Sequence, residues 1–64
     1  MIEVGDVIER GGFAYTVRHV GKVSRSVAAK GIERSITCTR GNEKTLFQGW
    51  IYDNGEVGRI WSVA

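Results

Sequence analysis

The sequence predicts a small all-β fold: five antiparallel strands in a single domain spanning residues 1–64. Three observations carry that expectation. Nine glycines and no proline occur in 64 residues. Glycine supplies the positive-φ positions of tight hairpins and bulges, and a chain without proline keeps its amide N–H groups free for strand ladders. The turn dipeptides Gly11-Gly12, Gly41-Asn42 and Asn54-Gly55 punctuate the chain at short intervals, the spacing of a small sandwich or barrel. Between them apolar and polar residues alternate with the period of two that puts one face of a strand on a core.

Ile2 to Arg10 reads as the first strand. Gly11-Gly12 then forms a two-residue hairpin loop. In the second strand, Phe13 to Val20, Phe13, Tyr15 and Val17 alternate against Ala14, Thr16 and Arg18. Val20 falls out of phase, and a bulge near Arg18-His19 restores it while bending the strand. Residues 21–33 have two readings. Ser26 can cap a short helical turn through Val27–Lys30 that ends at Gly31, or Lys30-Gly31 can lie in the turn of a long hairpin.

Ser35 to Thr39 has Ile36 and Cys38 on one face and three hydroxyl residues on the other. Thr45 to Asp53 is the next strand, Asn54-Gly55 its type I′ hairpin turn, and Val57 to Val63 the return. In strand count and turn spacing this architecture resembles an SH3-like barrel. A strongly bent meander sheet satisfies the same pattern.

Turn geometry fixes register, and register fixes faces. A two-residue loop at Asn54-Gly55 sets Tyr52 against Val57, Trp50 against Arg59, Gly49 against Ile60 and Gln48 against Trp61. An even-length loop at Gly41-Asn42 places Ile36 and Cys38 with Phe47, and Ser35, Thr37 and Thr39 with Trp50. The hydroxyl face meets water, so the expected core is Ile36, Cys38, Phe47, Ile51 and Ile60. Trp50, Tyr52, Arg59 and Trp61 then share an outer face. Trp, Tyr and Arg are the residue types enriched at binding hot spots, and soluble monomers rarely expose such a patch without a use for it.

A net charge of +2 hides an uneven distribution. Residues 18–40 carry Arg18, Lys22, Arg25, Lys30, Arg34 and Arg40 against one acid, Glu33. Such a stretch suits an anionic partner. Nucleic acid is therefore the expected ligand, with Trp50, Tyr52 and Trp61 stacking and Arg59, Arg18, Arg34 and Arg40 meeting phosphate. The alternatives are a protein-binding adaptor or small inhibitor that uses the same aromatic patch, and a homo-oligomer that hides it.

Enzymatic function, cofactors and metals are not expected. His19 and Cys38 are the only histidine and cysteine, too few for a Cys/His zinc cage or a disulfide. Asp53 and Glu56 flank a hairpin tip, where turn chemistry accounts for them. The glycines match neither a Walker loop nor a dinucleotide-binding fingerprint. The N-terminus has no basic start and no apolar stretch, and no apolar run approaches the ~20 residues of a membrane span. With one free cysteine, a cytoplasmic location is the expectation.

Overall fold

A computed structural model of the protein describes residues 2–63 as five antiparallel strands in one curled, half-barrel sheet. These are β1 (Val7–Arg10), β2 (Phe13–Val27), β3 (Gly31–Arg40), β4 (Leu46–Tyr52) and β5 (Val57–Val63). Each strand pairs with the next, in the order β1-β2-β3-β4-β5. The meander follows from the turns. Gly11 and Gly12 both take positive φ (61° and 83°), as a type I′ hairpin requires. Arg40 and Glu43 close the next turn through Glu43 N–H to Arg40 O (3.1 Å), with Gly41 at φ 55°. No helix among the described residues is long and apolar enough to cross a membrane.

The first strand is shorter than the alternation suggests. Glu3–Asp6 forms a turn, with Asp6 N–H bonded to Glu3 O (3.0 Å) and Gly5 at φ 97°. A positive φ at the third position is the mark of a type II turn. Gly5 N–H still reaches Val17 O (2.8 Å), so the turn stays tied to β2.

Residues 26–30 form no helical turn. They are the tip of the β2–β3 hairpin, with Val27 paired to Gly31 and Lys30 N–H bonded to Val27 O (3.1 Å). Gly31 has φ 85°, and a Cβ there would collide with the Asp53 carboxylate. The conformation that would end a helix here reverses a hairpin.

The expected bulge at Arg18-His19 is present. Val17 pairs with Cys38 and His19 with Thr37, which leaves Arg18 as the extra residue. Two more register shifts follow, between Val20 and Val23 and between Val23 and Arg25. β1 pairs with β2 over Phe13–Thr16, and Gly5 and Asp6 hold Val17, so β2 from Arg18 onward is a sheet edge. Bulges and cations such as Lys22 and Arg25 discourage pairing with foreign strands along such an edge.

The core lies on one face: Ile8, Tyr15, Val17, Ile36, Cys38, Phe47 and Ile51, with Ile2, Val20, Val57 and Ile60 packed against it. Tyr15 and Phe47 meet edge to face, with centroids 5.1 Å apart. Ile60 is only partly buried because β5 is an edge strand. At the open side of the curl, the Arg10 guanidinium donates to the carbonyl oxygens of Val57 (2.8 Å) and Gly58. A β1 side chain thus bridges to β5, with which β1 shares no ladder among the described residues.

Ile36 is 1% exposed, and a Cβ at Gly49 would lie only 3.0 Å from Arg59 O. Ile36→Ala is expected to cost about 2–5 kcal/mol and Gly49→Ala about 1–3 kcal/mol. Val7→Ala, at a site 58% exposed, should cost under about 0.5 kcal/mol. Urea unfolding followed by circular dichroism checks the order. A Val7 variant less stable than the Ile36 variant would contradict the placement of the core.

Candidate functional site: the outer sheet face

The outer face is set by how β4 and β5 are joined. Their turn is not type I′. Gly55 N–H bonds to Tyr52 O (3.1 Å) and Tyr52 N–H to Glu56 O (3.0 Å), enclosing three residues. Gly55 takes φ 92°, whereas Asn54 is not at positive φ. This is the three-residue loop built on a type I turn and a left-handed glycine. It shifts register by one, so Ile51 faces Val57 where a two-residue loop would set it against Gly58. Trp50 then spans two residues, Gly58 and Arg59, and from Gly49↔Ile60 onward the pairing is the one expected from the sequence. A turn residue and a bulge residue cancel.

That cancellation leaves Trp50 and Trp61 on the outer face, in contact with each other. Their ring centroids are 5.7 Å apart and their planes tilted by 50°. Neither belongs to the core cluster, and both are partly buried. Gly58 packs closely under Trp50: a Cβ there would lie 3.1 Å from Trp50 Cβ, a tight contact. The Arg59 guanidinium sits 5.9 Å from the Trp61 ring centroid, at the outer limit of a cation–π contact.

Tyr52 shares the face but is already engaged. Its hydroxyl donates to Glu33 Oε1 (3.1 Å), and Lys30 Nζ stands 4.8 Å over its ring. Glu33 is 4% exposed and also binds Arg25 Nε (2.9 Å) and the Ser24 hydroxyl. A buried carboxylate is tolerable only when paired and hydrogen-bonded, and Glu33 is both. Lys30 in turn pairs with Glu56 (3.4 Å).

Arg18, the bulge residue of β2, donates to Thr39 Oγ1 (2.9 Å) and so lies on the outer face. The other two arginines expected at the site do not. Arg34 pairs with Ile51 and Val23, and Arg40 with Tyr15, which places both on the core face. The Arg40 guanidinium lies 4.0 Å from the Phe13 ring centroid and 4.7 Å from that of Phe47. It also donates to Tyr15 Oη (3.3 Å) and to both Glu43 carboxylate oxygens. Its bond to Glu43 holds the arginine pKa above its usual value and the Glu43 carboxyl below its own. Arg40 is therefore committed to closing one end of the core. Parity along β3 carries this signal, because Arg34, Ile36, Cys38 and Arg40 are all two apart.

Three outer-face residues outside the expected set stand in line with Trp61. His19 pairs with Thr37, Thr37 with Gln48, and Gln48 with Trp61. This row runs across four strands, roughly 14 Å at about 4.8 Å per strand. The side chains of His19, Thr37 and Gln48 make no hydrogen bond among the described residues. The register count that placed Gln48 opposite Trp61 already held half of this row.

Elsewhere the chemistry is sparse. A surface hollow of about 360 Å³ is lined by Glu9 to Ala14 of the β1–β2 hairpin alone. No three His, Cys, Asp or Glu side chains among the described residues group as metal ligands. No protein-family model, no curated protein and no solved structure matches this chain.

Cys38 is wholly buried, and desolvation pushes its thiol pKa up. A thiol must ionise and be reached to react. Alkylation of Cys38 is therefore expected to be negligible in the folded protein and to rise to the free-thiol rate in denaturant, as mass spectrometry would report. Rapid alkylation without denaturant would contradict the burial of this strand.

Proposed function

We propose that the protein is a non-enzymatic nucleic-acid-binding module and that its ligand lies on the outer face of β2–β5. One observation supports this reading above the rest: the Trp50–Trp61 pair shares its face with Arg59 and Arg18, and the acid on that face is neutralised from within. Of the cationic side chains in β2–β5, Arg34 and Arg40 lie on the core face, while Arg18, Arg25 and Arg59 share the outer face with a single acid of these strands, Glu33. Glu33 is buried against Arg25. Aromatic platforms beside basic groups suit bases and phosphates.

A protein partner is the second reading. Leu46 (49% exposed) and Val63 (41% exposed) pair with each other on the same face, two residues from Trp61. They lengthen the apolar stripe in the manner of a protein-docking patch.

Titration with mixed-sequence oligonucleotides, followed by tryptophan fluorescence, separates the two. The first reading expects quenching that weakens as salt rises. Trp61→Ala should cost about 1–3 kcal/mol of affinity, while Arg34→Ala, on the other face, should change it by less than about 0.5 kcal/mol. No response to any nucleic acid would sink the first reading and favour the second.

A further inference from the structure

We infer that the nucleic acid bound is single-stranded and that it crosses the strands along the row His19–Thr37–Gln48–Trp61. This inference rests on the nucleic-acid reading above and goes beyond it in naming the form of the ligand and its path.

The row joins unspent hydrogen-bonding groups to an aromatic platform. Several polar side chains around it already have partners: Arg18 with Thr39, Arg25 with Glu33, and Tyr52 with Glu33. Between these engaged groups, the Thr37 hydroxyl and the Gln48 amide have no side-chain partner among the described residues. An amide can pair with the edge of an unstacked base, and a hydroxyl with base, sugar or phosphate. One end of the row is an aromatic platform, Trp61, backed by Trp50 at 5.7 Å. The other end is His19, next to the cationic bulge residue Arg18. Base stacking at one end and phosphate contact at the other is the arrangement a crossing single strand needs.

A duplex fits this face poorly. Its base faces are hidden in the stack, so Trp61 has nothing to stack on along the helix. Reading a duplex groove takes a helix or a two-stranded ribbon that stands free of the body. The longest hairpin among the described residues is β2–β3, and β3 is flanked by β4 up to Ile32, whose carbonyl accepts from Asp53 N–H (3.1 Å). Only its tip extends past the sheet.

The test uses the full 64-residue chain, with oligo-dT, oligo-rU and a blunt DNA hairpin of equal nucleotide count, read by fluorescence anisotropy of a label on the nucleic acid. Both single strands are expected to bind, and the hairpin at least about tenfold more weakly. Gln48→Ala and Thr37→Val should each weaken single-strand binding by about three- to tenfold. Gln48 is exposed, so its variant is expected to keep the wild-type circular dichroism spectrum and melting temperature. A preference of dT over rU, or the reverse, assigns DNA or RNA and supports the inference either way. If the hairpin binds as tightly as the single strands, or if a folded Gln48→Ala protein binds them at full strength, the inference fails while the broader reading stands. If none of the three binds, both fail.

Discussion

The paired irregularities of the β4–β5 hairpin decide what this protein shows to its surroundings. The three-residue turn at Asp53–Gly55 offsets the two strands by one, and the Gly58-Arg59 bulge offsets them back. A period of two makes strands unforgiving: an uncorrected slip would send the side chains of β5 to the opposite face. Trp61 would then face inward and Ile60 outward. The glycine in the bulge also eases packing, since a Cβ at position 58 would press on Trp50 Cβ. Turn, bulge and aromatic pair therefore form one device.

The charged residues divide into those that hold the core and sheet edges together and those that stand on the outer face. Arg10 bridges the open side of the curl to β5. Arg40 closes one end of the core against Phe13 and Phe47. Arg25 and Tyr52 satisfy Glu33, a buried carboxylate that would otherwise be costly. In a domain of this size the apolar core alone supplies little stability, and several arginines contribute to holding it shut. Arg59 and Arg18 are different: one lies beside Trp61 and the other across the same face. The arginines of the chain thus form two populations with separate duties.

Much of the fold was legible because turn chemistry is local. Gly11-Gly12 demands a tight hairpin whatever surrounds it, and the even-length connection near Gly41-Asn42 fixed Ile36 and Cys38 on the same face as Phe47. The alternation of Phe13, Tyr15 and Val17 marked β2, yet Ile8, Tyr15 and Val17 were not assigned to the core, because that assignment needed the β1–β2 and β2–β3 registers. Residues 21–33 resisted reading for a physical reason. A long edge strand with three register shifts has no steady period of two, and Ala28-Ala29-Lys30 suits a helix as readily as a hairpin tip. At the candidate site, Trp50, Tyr52, Arg59 and Trp61 fell on the expected face. Arg34 and Arg40 did not, because the charge count was read along the chain and not across the pleat.

The central claim is that the row from His19 to Trp61 is a contact surface and that the opposite face is not. Nuclear magnetic resonance reads both faces at once during titration with a short single-stranded oligonucleotide. The account predicts that the Trp61 indole N–H, the Gln48 side-chain amide and the Thr37 backbone amide shift together, while the Arg34 and Arg40 guanidinium N–H signals stay in place. Shifts centred on Arg34 and Arg40, with Trp61 and Gln48 unmoved, would contradict it.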